Sequence, residues 1–237
     1  SLYGVFPVKT LVYVGANVGM SLWHIFQEYD QVYVFEPDPE MFEQLERKYK
    51  QFEWVTLINA AGSLEDGKAT FYITNNRVAS SLGNCPEDKK DYHEYRNASV
   101  VREITVNTVN IGEYLKSEGV EFIDLYYSDC QGSDLNVLKT LKEYVDQKKI
   151  GEMFIETHSD GVYLYDKLNN QFSGFKELLS DNYDFVHASL GGRGGIVVGE
   201  DNLIPGDEEK EKYPTEEWDS YWRLKGHPAS VGSMLRA

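Results

Sequence analysis

The residues best suited to chemistry stand at the ends of apolar runs. Gly15-Ala16-Asn17-Val18-Gly19 follows Leu11 to Val14, and its glycines allow a sharp turn and close approach of backbone to a ligand. Glu36-Pro37 ends the next apolar run, Val32 to Phe35. Two adjacent parallel strands would bring these ends side by side, so that Glu36 could accept hydrogen bonds from both hydroxyls of a ribose lying over the glycine turn. Asp129 closes the run Phe122 to Tyr127, and Glu156-Thr157-His158 closes the run that starts at Met153. In an open α/β sheet these ends face the same ligand. A carboxylate and an imidazole there are suited to taking a proton from a hydroxyl.

A dinucleotide fingerprint wants glycine where Asn17 and Met20 stand. The pattern therefore favours a nucleoside ligand without a pyrophosphate, such as S-adenosylmethionine, over NAD. Asp129 is the first candidate for a base and His158 its rival, with Glu156 orienting His158 or the substrate. Asp129, Glu156 and His158 together could also present ligands to a divalent cation. Plainer roles compete with these. Asp129 could cap the helix that follows, His158 could be a packing histidine, and Cys130 reads as a small buried side chain. Gly191 to Gly195 lacks the Lys-Ser/Thr of a phosphate loop and reads as a hairpin turn leading into Ile196 to Val198. Tyr92, His93 and Tyr95 either touch an acceptor or face solvent.

The elements that must position these residues alternate. Leu22, Ile25, Phe26 and Tyr29 share a helical face, as do Met41, Phe42, Leu45 and Tyr49 after an Asp38 cap and Pro39. Trp54 to Ile58 reads as a third strand, with Thr70 to Ile73 as its hairpin partner. Residues 75–98 form a long polar stretch of the kind that makes binding segments or lids. Val100 to Val106 is another strand. Leu135, Leu138, Leu141 and Val145 mark one helix, and Phe172, Phe175, Leu178 and Leu179 another, before a strand at Tyr183 to His187. Alternation of this kind predicts a mostly parallel sheet covered on both faces. Residues 201–237 read as a tail packed on a domain spanning 1–200. Trp218, Tyr221 and Trp222 carry helical spacing there.

With 23 Lys and Arg against 39 Asp and Glu, the net charge is −16, which disfavours nucleic acid as a partner. Two cysteines make neither a disulfide framework nor a zinc motif, so a reducing, cytoplasmic setting is expected. No apolar run is long enough to insert in a membrane. The chain opens on Ser1 without a basic-then-apolar leader, so we expect no signal peptide and an excised piece of a longer protein.

Val14-Gly15-Ala16-Asn17-Val18-Gly19, Phe35-Glu36-Pro37, Ser80-Ser81-Leu82, Ile123 to Asp134 and Phe154-Ile155-Glu156-Thr157-His158, in that order, resemble the FkbM family of S-adenosylmethionine-dependent methyltransferases over roughly the first three quarters of the chain. Departures fall at Tyr13, where the family usually has Asp; at Tyr127, where it has Lys; and at Gln131 and Asp134, where it has Glu. They touch the acceptor side more than the cofactor side. The resemblance implies a doubly wound, mostly parallel, seven-stranded Rossmann-like sheet with an antiparallel C-terminal hairpin. It also implies S-adenosylmethionine as cofactor and S-adenosylhomocysteine as product. Gly15, Ala16, Asn17 and Gly19 would contact the methionine part, Glu36-Pro37 the ribose, and Asn59, Ala60 and Ala61 would flank the adenine, with Asp129 beside the cofactor. The implied acceptor is a small molecule or glycan, most often a sugar hydroxyl. A nicotinamide-dependent oxidoreductase and a non-catalytic scaffold of the same fold are the alternatives.

Overall fold

A computed structural model describes residues 7–189, 197–203 and 217–228. β1 (Thr10–Val14) is buried along its whole length, as a central strand covered on both faces must be. It lies between β2 (Gln31–Phe35) and β7 (Ile123–Ser128), both parallel to it. Outward from these come β3 (Val55–Ile58) beyond β2, and β8 (Ile150–His158) beyond β7, again parallel. The remaining strands of this sheet are β9 (Tyr183–Ser189), β10 (Val197–Val198) and β11 (Glu217–Leu224). The order across the sheet is β10-β9-β11-β8-β7-β1-β2-β3.

Helices cover both faces. α1 (Met20–Trp23) and α2 (Pro39–Tyr49) bury Leu22, Leu45 and Tyr49 on one side with Tyr13, Val34 and Phe154. α4 (Ile111–Ser117), α5 (Asp134–Thr140), α6 (Lys142–Asp146) and α7 (Phe172–Leu179) pack on the other with Val12, Tyr126 and Ile155. Asp38 caps α2 as expected, accepting the Glu40 N–H at 2.9 Å with Pro39 in the first turn. The stripe from Leu135 to Val145 is broken at Leu141 into α5 and α6 rather than forming one helix. α3 (Lys90–Tyr95) lies inside the long segment that the sequence leaves without structure.

Two expectations are corrected. The strand over 70–73 does not pair with β3. It belongs to β5 (Gly67–Thr74), which with β4 (Ala61–Gly62) and β6 (Val100–Val109) makes a separate three-stranded sheet. The main sheet also has eight strands rather than seven, because Trp218, Tyr221 and Trp222 lie on β11 and not on a docked helix. β11 runs antiparallel between β8 and β9. Its two faces are both buried, Trp218 and Trp222 toward one core and Tyr221 toward the other, so no polar alternation marks it as a strand. β10 pairs antiparallel with β9. The expected glycine turn between them, Gly191 to Gly195, lies outside the described residues.

Candidate active site

The turn after β1 is held in a backbone conformation that L side chains rarely adopt. Gly15 has φ +77° and donates its N–H to the Phe35 carbonyl at 3.0 Å. Asn17 (φ +50°) and Gly19 (φ +70°) share the left-handed region. Asn17 locks its own turn, accepting the Val18 N–H at 2.8 Å on Oδ1. Gly19 is packed under α2, where its carbonyl accepts the Tyr49 hydroxyl at 2.6 Å.

Glu36 is buried, and each carboxylate oxygen accepts one main-chain N–H at 2.7 Å, Oε2 from Asn17 and Oε1 from Asp38. Burial pushes its carboxyl up to about 7, against those two hydrogen bonds. Asn59 does not face the cavity. It turns back to hold the end of β2, its Nδ2 donating to the carbonyls of Glu36 at 2.8 Å and Pro37 at 3.3 Å.

A cavity of about 240 Å³ opens over these strand ends. Gly15, Ala16, Asn17, Glu36, Pro37, Ala60, Ala61 and Asp129 all line it; Gly19, Asn59, Glu156 and His158 do not. Glu36 and Asp129 flank the β1 turn from the strands on either side. The segment after β5 covers the cavity with Arg77, Val78, Ser80 and Leu82, a role that only its length foreshadows. Arg77 (φ +60°) is tied to the start of α2 by ion pairs to Asp38 at 2.8 Å and Glu40 at 2.6 Å. Its carbonyl accepts the Asn17 side chain at 3.3 Å. Ser81 fastens the same segment to the far wall by donating to the Gln131 carbonyl at 2.6 Å.

Asp129 does not cap α5. Its Oδ1 accepts the Gln131 side-chain N–H at 2.6 Å, and the buried Asp134 is what anchors the strand-to-helix turn, accepting from Ser128, from the Cys130 N–H at 2.9 Å and from Asn170 at 3.2 Å. Cys130 is a packing residue, its thiol pushed well up by burial. Behind Asp129, Glu156 accepts from Gln131 at 2.7 Å and meets His158 Nε2 at 3.2 Å. Burial and then the Asp129 charge push the Glu156 carboxyl far above the carboxylate range. Burial and then Arg96 pull His158 down to about 3. His158 is therefore neutral near pH 7, and burial favours the uncharged form of Glu156.

Among the described residues, the ligand atoms of Glu156, His158 and Glu217 lie within 4.8 Å of one another, and Asp129 is not part of this set. Arg96, at the end of α3, already pairs with Glu217. Tyr165 donates to Gln131 Oε1 at 2.7 Å. Asp219 on β11 stands opposite Glu156, its half-buried carboxyl pushed up to about 7 by desolvation and by Asp129. No local motif marks Arg77, Tyr165, Glu217 or Asp219 in the sequence, and the last two were hidden by the helical reading of 218–222. Of the loop candidates, His93 is buried against the Leu164 carbonyl at 2.9 Å, whereas Tyr95 is exposed.

The family model described as the methyltransferase FkbM domain matches residues 14–185, and the chain belongs to that family of S-adenosylmethionine-dependent methyltransferases. The nicotinamide alternative is thereby set aside. A curated relative, the 2-O-methyltransferase NoeI of Sinorhizobium fredii (strain NBRC 101917 / NGR234), is 24% identical over 166 residues, covering 68% of this chain and 67% of its own. Among solved structures, M. capricolum TrmK in complex with S-adenosylhomocysteine aligns with 92% of this chain and 63% of its own, at 12% identity and a TM-score of 0.45. SMU.1697c, a methyltransferase-like protein from Streptococcus mutans in complex with S-adenosylhomocysteine, aligns with 91% of this chain and 88% of its own, at 11% identity and a TM-score of 0.46. Among the described residues no helix is long and apolar enough to cross a membrane.

Proposed function

We propose that this chain methylates a hydroxyl oxygen of a sugar or glycan. The observation that carries the reading is the placing of Glu36 and Asp129 on opposite sides of the β1 turn in one open cavity. The residues present fit the cofactor: the Gly15 turn is pressed against β7, and the space over it is bounded by a carboxylate on each side. When bound there, S-adenosylmethionine supplies a methyl group activated by its sulfonium. Gly15, Ala16 and Asn17 would hold the methionine part, Glu36 the ribose hydroxyls, and Ala60 and Ala61 the adenine. Pro37 would flank the ribose beside Glu36, and Gly19 and Asn59 would shape the two strand ends from behind.

Asp129 is our general base. It lines the cavity, and it takes the proton of the acceptor hydroxyl as that oxygen is held in line with the methyl group. His158 and Glu156 stand behind it and support it. O-methylation is favoured because the curated relative is a 2-O-methyltransferase, and a sugar acceptor because of the family resemblance.

The test is a mass-shift assay with S-adenosylmethionine against a panel of saccharides and small hydroxylated molecules. Gain of one methyl on a saccharide, lost in Asp129→Asn and reduced but not abolished in His158→Ala, supports the reading. Methylation of a nitrogen or carbon acceptor instead, or full activity in Asp129→Asn, overturns it. Absence of any transfer, with S-adenosylhomocysteine bound in calorimetry, would favour a cofactor-binding scaffold.

A further inference from the structure

Resting on that reading, we propose that Gln131 is the positioning residue of the acceptor side: its amide, anchored by Tyr165, fixes Asp129 toward the cavity and joins it to the buried Glu156–His158 pair. Every polar atom of the Gln131 side chain is used. One N–H goes to Asp129 Oδ1 at 2.6 Å and the other to Glu156 Oε2 at 2.7 Å, while Oε1 accepts the Tyr165 hydroxyl at 2.7 Å. A primary amide has two hydrogens on nitrogen, and here each meets a different carboxyl group.

The backbone is equally constrained. Gln131 has φ +50° and its carbonyl accepts Ser81 Oγ. Gly132 follows at φ +93°, where a Cβ would stand 2.6 Å from the Tyr165 ring. Left-handed residues of this kind persist only where the surroundings over-determine them, and they gather at functional sites.

His158 Nε2 meets Oε1 of Glu156 at 3.2 Å, and Oε2 of the same carboxyl group accepts from Gln131. Asp129 lies at the cavity end of this chain, in the place where a proton must be received. The other charged or titratable groups beside the pair are Glu217 and Asp219 from β11, Asp134 from α5 and Tyr165. Arg96 from α3 acts on His158, and Asp129 also acts on Glu36 of β2 and on Tyr13 and Tyr127. None of these supplies a donor to both carboxyl groups.

The experiment follows the carboxyl carbons of Asp129 and Glu156 by NMR across pH in the ¹³C-labelled whole chain, without cofactor or acceptor. In Gln131→Leu the Asp129 carboxylate loses its amide donor, and its midpoint should rise by about one pH unit or more. In Tyr165→Phe, which leaves the amide but frees its anchor, the midpoint should move the same way by less. A merely structural role for Gln131 would lower the melting temperature and leave the midpoint in place. An unchanged Asp129 midpoint in folded Gln131→Leu overturns the proposal. Should that variant fail to fold, an unchanged midpoint in Tyr165→Phe does so. Failure of methyl transfer would show in the mass-shift assay and not here, so the two readings fail separately.

Discussion

A side-chain carbon on Gly15 would stand 1.9 Å from the main-chain oxygen of Asp129. The floor of the cavity is thus a contact of backbone on backbone, and the residue at position 15 sets how close the turn after β1 comes to the strand carrying the proposed base. Gly15→Ala must push β7 away and also strain a φ of +77°. We expect a loss of about 2 kcal/mol in stability, measured by urea denaturation, and S-adenosylhomocysteine binding weakened by more than about tenfold in calorimetry. Native-like binding in this variant would mean that the close approach has no part in holding the cofactor.

Glu36 sets a pH dependence whose sign is fixed by burial. Its carboxyl rises from 4.5 to about 7 on folding, so the folded chain keeps a proton that the unfolded chain releases. Stability therefore falls as pH rises from about 4.5 to about 7 and levels off above, by roughly 3 kcal/mol at most from this group. Asp219, also raised to about 7, adds to the same trend. His158, pulled down to about 3 by burial, opposes it up to about pH 6.5, while Glu40, held down by Arg102 and Arg77 at an exposed site, acts only below about 4.5. Urea midpoints should be lower at pH 8 than at pH 5.5, and Glu36→Gln should flatten the difference.

The same residue should tie cofactor affinity to pH. Ribose hydroxyls donating to Glu36 favour its charged form, so binding of S-adenosylhomocysteine should tighten as pH rises from 6 to 8. Glu36→Gln should weaken binding by about tenfold and remove the pH dependence. Calorimetry at three pH values decides both points.

Arg77 spans the cavity edge and the start of α2. Its ion pairs to Asp38 and Glu40 are partly exposed, so Arg77→Ala should cost less than about 1 kcal/mol of stability. It should nevertheless speed ligand release, by about fivefold in stopped-flow dissociation, because the covering segment loses its tether.

Trp222 is fully buried against Phe172 and Phe185, at ring separations of 5.6 Å and 5.2 Å. Trp222→Ala should cost about 3–5 kcal/mol in urea denaturation. An amphipathic helix docked on the surface would tolerate the change far better.

The shape of the β1 and β2 strand ends was legible because its signals are local. Gly15, Asn17 and Glu36-Pro37 are fixed by turn and strand-end geometry, which residue type and order reveal. Asn59 was expected beside the adenine, whereas its side chain serves the backbone of the neighbouring strand, a contact 23 residues away in the chain. The acceptor side was legible only in part. Asp129, Glu156 and His158 do come together, but Gln131 and Tyr165 join them through contacts 25 and 34 residues apart that no motif announces. Periodicity failed over 218–222 because a strand covered on both faces shows no alternation, and apolar residues at 218, 221 and 222 then mimic a helix.

The place of β11 between β8 and β9 makes the sheet's interior depend on a strand that follows both of them in the chain. Before it docks, β8 and β9 each present an open edge, the arrangement most prone to mispairing. The sheet is therefore closed from its middle rather than from an edge, and a chain whose β11 fails to dock is left adhesive rather than merely trimmed.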